Sequence, residues 1–225
     1  MAISTRAANG AVVSAGGRAT GVLVTDPACT PPVRDAYAQT LLNLRYALYG
    51  SGGTSVLVSA VDDTSNAAIV AANLAILAAQ EGERVVLVDT DPRHGSLSSL
   101  FDLAEVPGFT SLIRQEGMNP TASLQQVDVP NLYLLGVEKG RLIPGGLARA
   151  DGLPGVLTRL KHISDRLFLI GAPILGSIDS LDLCAHVDGV LITIGQDRTH
   201  RDDVGRARTI LKRAHASVIG VVLTN

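Results

Sequence analysis

Tryptophan is absent from this sequence of 225 residues, and aromatic residues make up only 3% of it. Two cysteines, Cys29 and Cys184, stand far apart and fit no metal or redox spacing, which points to a reducing cytoplasm. Positive charge is not in excess. The net charge of −2 and isoelectric point near 6.2 give no support to an electrostatic footprint for nucleic acid, and no nucleic-acid partner is expected. No apolar run approaches the ~18 residues that span a bilayer, and the N-terminus lacks a signal peptide's apolar core. Membrane association is therefore expected only through a partner, at the periphery.

What the sequence does hold is Ala, Val, Leu and Ile, which carry the hydrophobic fraction to 46% and the mean hydropathy to +0.28. That suits a buried parallel sheet covered by small-residue helices, in one sizeable domain or a domain plus an arm. Residues 1–33 read as a flexible arm whose run GVLV (21–24) can add an edge strand. Residues 34–225 read as the single domain. In RDAYAQTLLNLRYALY (34–49), helical spacing puts Tyr37, Leu41, Leu44 and Ala47/Leu48 on one face, and GSGGTS (50–55) breaks the helix.

Beyond that linker the pattern alternates. Strands are expected near 56–60, 84–88, 131–136, 167–171, 187–194 and 217–223. Helices are expected near 65–81, 96–103, 109–116, 153–164, 178–185 and 200–214. Such alternation predicts a doubly wound, mainly parallel α/β sheet, with ligands at the carboxyl ends of its strands.

The stretch VLVSAVDDTSNAAIVAANLA (56–75) has the strand, turn and helix of a phosphate-binding loop, yet its turn holds neither glycine nor lysine. A P-loop needs glycines so that the backbone curls its N–H groups inward, lysine for the phosphates, and a hydroxyl for Mg²⁺. Counting back from Ala71 puts the lysine position at Ala67, the hydroxyl at Ala68, and the flanking glycines at Thr64 and Asn66. Thr64, Ser65, Asn66, Ala67 and Ala68 are thus the remnant of a nucleotide site. Asp62 and Asp63 add charge of the wrong sign. A carboxylate about 5 Å from a phosphate oxygen costs on the order of 3 kcal/mol at an effective dielectric near 20, roughly a hundredfold in affinity. The plainer use of DDTSN is to cap the helix, with Asp63, Thr64 or Ser65 accepting its orphan N–H groups.

The next strand ends in VVLVDTDPRHG, placing Asp89 and Asp91 at the sheet edge where nucleotide lies. Paired acids there can hold a metal-bound water or take a proton. Structurally, Asp89 can cap the next segment while Asp91 pairs with Arg93. His94 reads as a surface loop residue, and no metal site is expected.

These segments resemble the bacterial tyrosine kinases of capsule and exopolysaccharide synthesis, within the MinD/ParA group of P-loop ATPases. The similarity runs over about 22–225 through TDPACTPPVRDAYAQTLLNLRYAL, AANLAILAAQEGERVVLVDTDPRHGSLSSLFDL, PGFTSLI, VPNLYLLGVEKG, HVDGVLITIGQDRTHRDD and ASVIGVVLTN, in family order. The resemblance implies roles for Asp89, Asp91, Asp179 and Asn225, the last reading adenine. It also exposes departures. Asp62 stands at the family's extra lysine, and Ile170, Gly171 and Ala172 at the Walker B aspartate and its sequel. The assembly motif of the opening helix reads Asp35, Ala38 and Leu41. No tyrosine-rich tail is expected, and packing is the expected role of Tyr37, Tyr46, Tyr49 and Tyr133.

The expectation is a catalytically silent adaptor or regulator without a cofactor, bound to a membrane co-polymerase or an active kinase paralogue, as a homo- or hetero-oligomer. The alternatives are an active tyrosine kinase or ATPase using ATP and Mg²⁺ at an atypical site, and a MinD/ParA-like positioning factor.

Overall fold

The computed structural model describes residues 2–6, 12–16, 22–49, 52–115, 117–140, 143, 146, 147 and 150–224. Asn225 and the first two residues of the glycine-rich linker lie outside the described residues. In chain order the strands are β1 (Ala2–Arg6), β2 (Val12–Gly16), β3 (Ser55–Ala60), β4 (Val85–Asp89), β5 (Gln125–Gln126), β6 (Leu132–Leu135), β7 (Arg166–Ile170), β8 (Gly189–Gly195) and β9 (Val218–Thr224). The α-helices are α1 (Pro31–Leu48), α2 (Ala67–Gln80), α3 (Ser96–Phe101), α4 (Phe109–Arg114), α5 (Gly152–His162), α6 (Ile178–Cys184) and α7 (Arg201–Arg213).

The strands form one sheet in the order β2-β1-β9-β8-β3-β7-β4-β6-β5. The six strands from β9 to β6 are parallel, and β5 and the β1–β2 hairpin pair antiparallel at the two edges. Alternating side chains divide the core. Val56, Val58, Leu87, Phe168 and Leu191 face α1 and α2, while Leu57, Val86, Val88, Leu169 and Val190 face α4 to α7. Both faces are covered, so these strands read as unbroken apolar runs. Helix α2 sits between the sheet and α1, and every residue from Ala67 to Ala79 is buried. Its alanines permit that double burial, because a small side chain fits wherever two backbones approach closely.

The edge strand expected at 21–24 does not form among the described residues. Residues 22–24 run along α2 instead: the Asn73 amide donates to the Val22 carbonyl (3.1 Å), and Val24 N–H donates to Asn73 Oδ1 (2.8 Å). One buried asparagine satisfies the backbone groups that a strand ladder would otherwise take. Helix α1 begins at Pro31, three residues before the predicted domain start, because proline suits a first turn that needs no donor. Residues 2–6 and 12–16, also assigned to the arm, are the β1–β2 hairpin, which meets β9 through Thr5 and Val222.

Packing accounts for only part of the tyrosine set. Tyr37 is buried and Tyr133 half-buried, but Tyr46 and Tyr49 are 70% and 88% exposed. No described helix is long and apolar enough to cross a membrane.

Candidate nucleotide-type site

The chain from β3 crosses to β4 on one side while β8 lies on the other, so the carboxyl end of β3 opens into the crevice where α/β sheets take ligands. A cavity of about 600 Å³ lies there, within the usual range for small-molecule sites. Its lining includes Asp63 to Val70, Tyr37, Asp91, His94, Ile170, Arg198 and Thr224. All five remnant residues of the nucleotide site, Thr64 to Ala68, therefore share one wall. Asp91 joins them; Asp89 does not.

The helix cap is corrected by the structure. Asn66, not a carboxylate, caps α2, its Oδ1 accepting the Ile69 N–H at 3.1 Å. Asp62 faces back into its own turn: its Oδ1 accepts the Thr64 N–H (3.0 Å), the Thr64 hydroxyl (2.5 Å) and the Thr199 hydroxyl (3.1 Å). An aspartate closing on the N–H two residues ahead forms a turn of its own and is no longer free to reach the helix start. Replacing Asn66 with Ala should cost about 1 kcal/mol in urea unfolding, the usual value of a lost cap. Asp63→Ala should cost far less.

The hydroxyls of this turn are used structurally. Ser65 Oγ bonds Thr193 Oγ1 and Thr224 Oγ1, each at 2.8 Å, and Thr64 Oγ1 meets Thr199 Oγ1 at 2.7 Å. They tie the turn to the ends of β8 and β9 and to the β8–α7 loop. At the first two helical positions, where a lysine and a hydroxyl were sought, stand the buried methyl groups of Ala67 and Ala68.

Asp89 is wholly buried, its two oxygens accepting the Asp91 N–H and the Leu97 N–H, each at 3.0 Å. Burial, the largest influence, pushes its carboxyl up to about 6 against the pull of those N–H groups. It steadies the start of α3, as the capping alternative expects. Asp91 is corrected in its partner: Oδ2 meets His94 Nδ1 at 2.5 Å, while Arg93 contributes only its backbone N–H. The Arg93 side chain turns to the Gly176 carbonyl. Asp179 accepts the Leu147 N–H and stays out of the cavity lining. Asn225 lies outside the described residues. Among the described residues no cluster of His, Cys, Asp or Glu could hold a metal ion.

Arg198 and Tyr37 are among the lining residues to which the sequence reading gave no place in the site. Arg198 enters from the loop after β8; because β8 neighbours β3, that loop lies beside the same crevice, which is the signal that could have found it. Tyr37 comes from α1 across the top of α2. Burial, the largest influence, pushes its phenol up to about 12 against the pull of the nearby Asn73 side chain. Nothing in the local sequence marks it.

The fold is the α/β architecture of the P-loop NTPase-like domains of the MinD/ParA kind. The chain's relatives are bacterial tyrosine kinases. It is 21% identical over 182 residues to the tyrosine-protein kinase ptk of Acinetobacter johnsonii, covering 81% of this chain and 25% of that protein. It is 23% identical over 192 residues to tyrosine-protein kinase YwqD of Bacillus subtilis, covering 84% and 79%. The chain thus spans about a quarter of the first relative's length. Among solved structures it is similar to the chimerical protein CapA2B2 (TM-score 0.83, 19% identity, 92% and 91% covered). The kinase domain of Escherichia coli tyrosine kinase ETK also scores 0.83, with 17% identity and 93% and 81% covered. MinD of Pyrococcus horikoshii in complex with Mg-ADP scores 0.56, with 20% identity and 74% and 68% covered. No family model matches the chain.

Proposed function

We propose that this protein is a catalytically silent relative of the polysaccharide-synthesis tyrosine kinases. It serves as an adaptor or regulator at the membrane periphery, bound to a membrane co-polymerase or to an active kinase paralogue. The observation that carries this reading is the start of α2, where Ala67 and Ala68 offer no charge and no hydroxyl and Asn66 caps the helix itself. A phosphate arriving there meets one N–H already taken, no lysine, and the carboxylates of Asp63 and Asp91 in the same lining. Ile170 at the end of β7 adds a hydrocarbon where the resemblance implies a metal-site acid. The apolar sheet and the alanine-rich α2 are intact, which supports retention of the scaffold for binding rather than for phosphoryl transfer.

Isothermal titration with Mg-ATP tests this. The expected result is no saturable heat, corresponding to a Kd weaker than about 1 mM. Micromolar binding would overturn the silent reading. One observation favours a second reading, an active kinase or ATPase with an atypical site: Arg198 supplies a cation to the cavity from across the crevice. That reading requires Mg-ATP binding that Arg198→Ala abolishes.

A further inference from the structure

A separate cavity of about 300 Å³ opens on the face of the sheet that carries α4 to α7, beside the β5 edge, and shares no lining residue with the first. That volume is at the lower end of the range for small-molecule sites. Strand register explains its floor. Val86 of β4 stands beside Tyr133 of β6, and Tyr133 stands opposite Gln126 of β5. The three side chains therefore form one row across three strands on one face. Leu124 and Ile163 pack with Tyr133 against the core of that face and supply apolar walls.

Two polar side chains complete the lining. Arg84 lies two residues before Val86, and so on the same side of the chain. Thr121 comes from a single 3-10 turn, Pro120–Ser123, which Asn119 fixes by accepting the Thr121 N–H on Oδ1 at 3.0 Å. Among the described residues, the Arg84 guanidinium, the Gln126 amide and the hydroxyls of Thr121 and Tyr133 have no hydrogen-bond or ion-pair partner. The neighbouring acids are occupied elsewhere. Asp165 accepts the backbone N–H of Arg84 (2.8 Å), and Glu83 holds Arg45 and Arg166 at 2.7 and 3.0 Å. Neither takes the Arg84 guanidinium.

We propose that this cavity binds a small organic carboxylate with a flat apolar body. The planar fork of Arg84 matches a carboxylate and pairs with both of its oxygens. The Tyr133 ring, with Val86, Leu124 and Ile163, covers the body of the ligand. Gln126 and Thr121 can both donate and accept, and they meet polar substituents on it. Arg84 is the one cation of the lining, which suits a single negative charge rather than the two of a phosphate. The site stands at the amino ends of β4 and β6, whereas Thr64–Ala68 stand at the carboxyl end of β3. It is therefore independent of whether the first cavity takes ATP.

The full chain, labelled with nitrogen-15, is titrated with benzoate and, separately, with benzyl alcohol and inorganic phosphate, and amide shifts are followed by NMR. Benzoate should shift residues 84–86, 121–126, 133 and 163 saturably, with a Kd in the low millimolar range that befits so small a ligand. Benzyl alcohol, which keeps the ring and lacks the charge, should bind about tenfold more weakly, and phosphate should leave these residues unmoved. Arg84→Gln should weaken benzoate about tenfold with the urea midpoint unchanged, because the side chain is exposed and unpaired. Benzoate shifts that are absent from these residues at tens of millimolar overturn the site. Equal affinity for benzyl alcohol, tighter binding of phosphate, or full benzoate affinity in Arg84→Gln overturns the carboxylate; the first two of these need no variant.

Discussion

Raising the pH from about 4 to about 7 should remove on the order of 3 kcal/mol of stability through Asp89 alone. The unfolded chain releases the Asp89 proton near its ordinary value, whereas in the folded protein burial holds that proton until about pH 6. Between those values the native state binds more protons than the unfolded state, so stability falls as pH rises. Below about 4 the group is neutral in both states and above about 6 charged in both, and the contribution is then constant. Urea unfolding of the wild type and of Asp89→Asn across this range isolates the effect as a difference in slope. The asparagine carries its own fixed cost, because its amide turns a donor toward one of the two N–H groups that now meet an oxygen. Glu83, Glu138 and Asp188 are all held below their usual range and act in the opposite sense at acid pH, but they are common to both proteins and cancel. Parallel profiles for wild type and variant would show that Asp89 does not titrate in this window.

Gly195→Val should be the most disruptive single change at the cavity. A Cβ at this position would lie 2.7 Å from Thr64 Oγ1 and 3.0 Å from the Thr64 carbonyl oxygen. The two further methyl groups of valine have only the same turn to displace. Relief requires the turn to move off the β8 end, and that breaks the Thr64–Thr199 contact and the Ser65 bonds to Thr193 and Thr224 together. Overpacking of this kind costs about 1–3 kcal/mol, read in the urea midpoint at unchanged slope. Gly195→Ala is the control: it keeps both Thr64 contacts but adds no further methyl groups, and should fall between wild type and Gly195→Val. A Gly195→Val protein as stable as wild type would mean that the turn is not held against β8 at all.

Much of the fold was legible because it depends on neighbours in sequence. Each of the six parallel strands falls within two residues of its predicted bounds, since an apolar run such as VVLVD is buried whichever way the sheet lies. Helix α2 was equally plain: twelve buried small or apolar residues around Asn73 have no exposed face to lose. The two-residue strand β5 was invisible, because Gln125 and Gln126 carry no strand pattern and pair only where β6 offers its edge. Tyr46 and Tyr49 could not be told from packed tyrosines, because their spacing on α1 is equally consistent with a face covered by another element.

The candidate site divides along the same line. That the turn after β3 lacks lysine and glycine is a property of the sequence alone, as is the doubly wound order of strands and helices, since both follow from residue type and local period. Which group caps α2, which hydroxyls face inward, and that Arg198 and Tyr37 reach the cavity were decided only by the folded chain. Those outcomes turn on contacts such as Ser65 with Thr224, 159 residues apart, where a hydrogen bond exists or fails within a few tenths of an ångström.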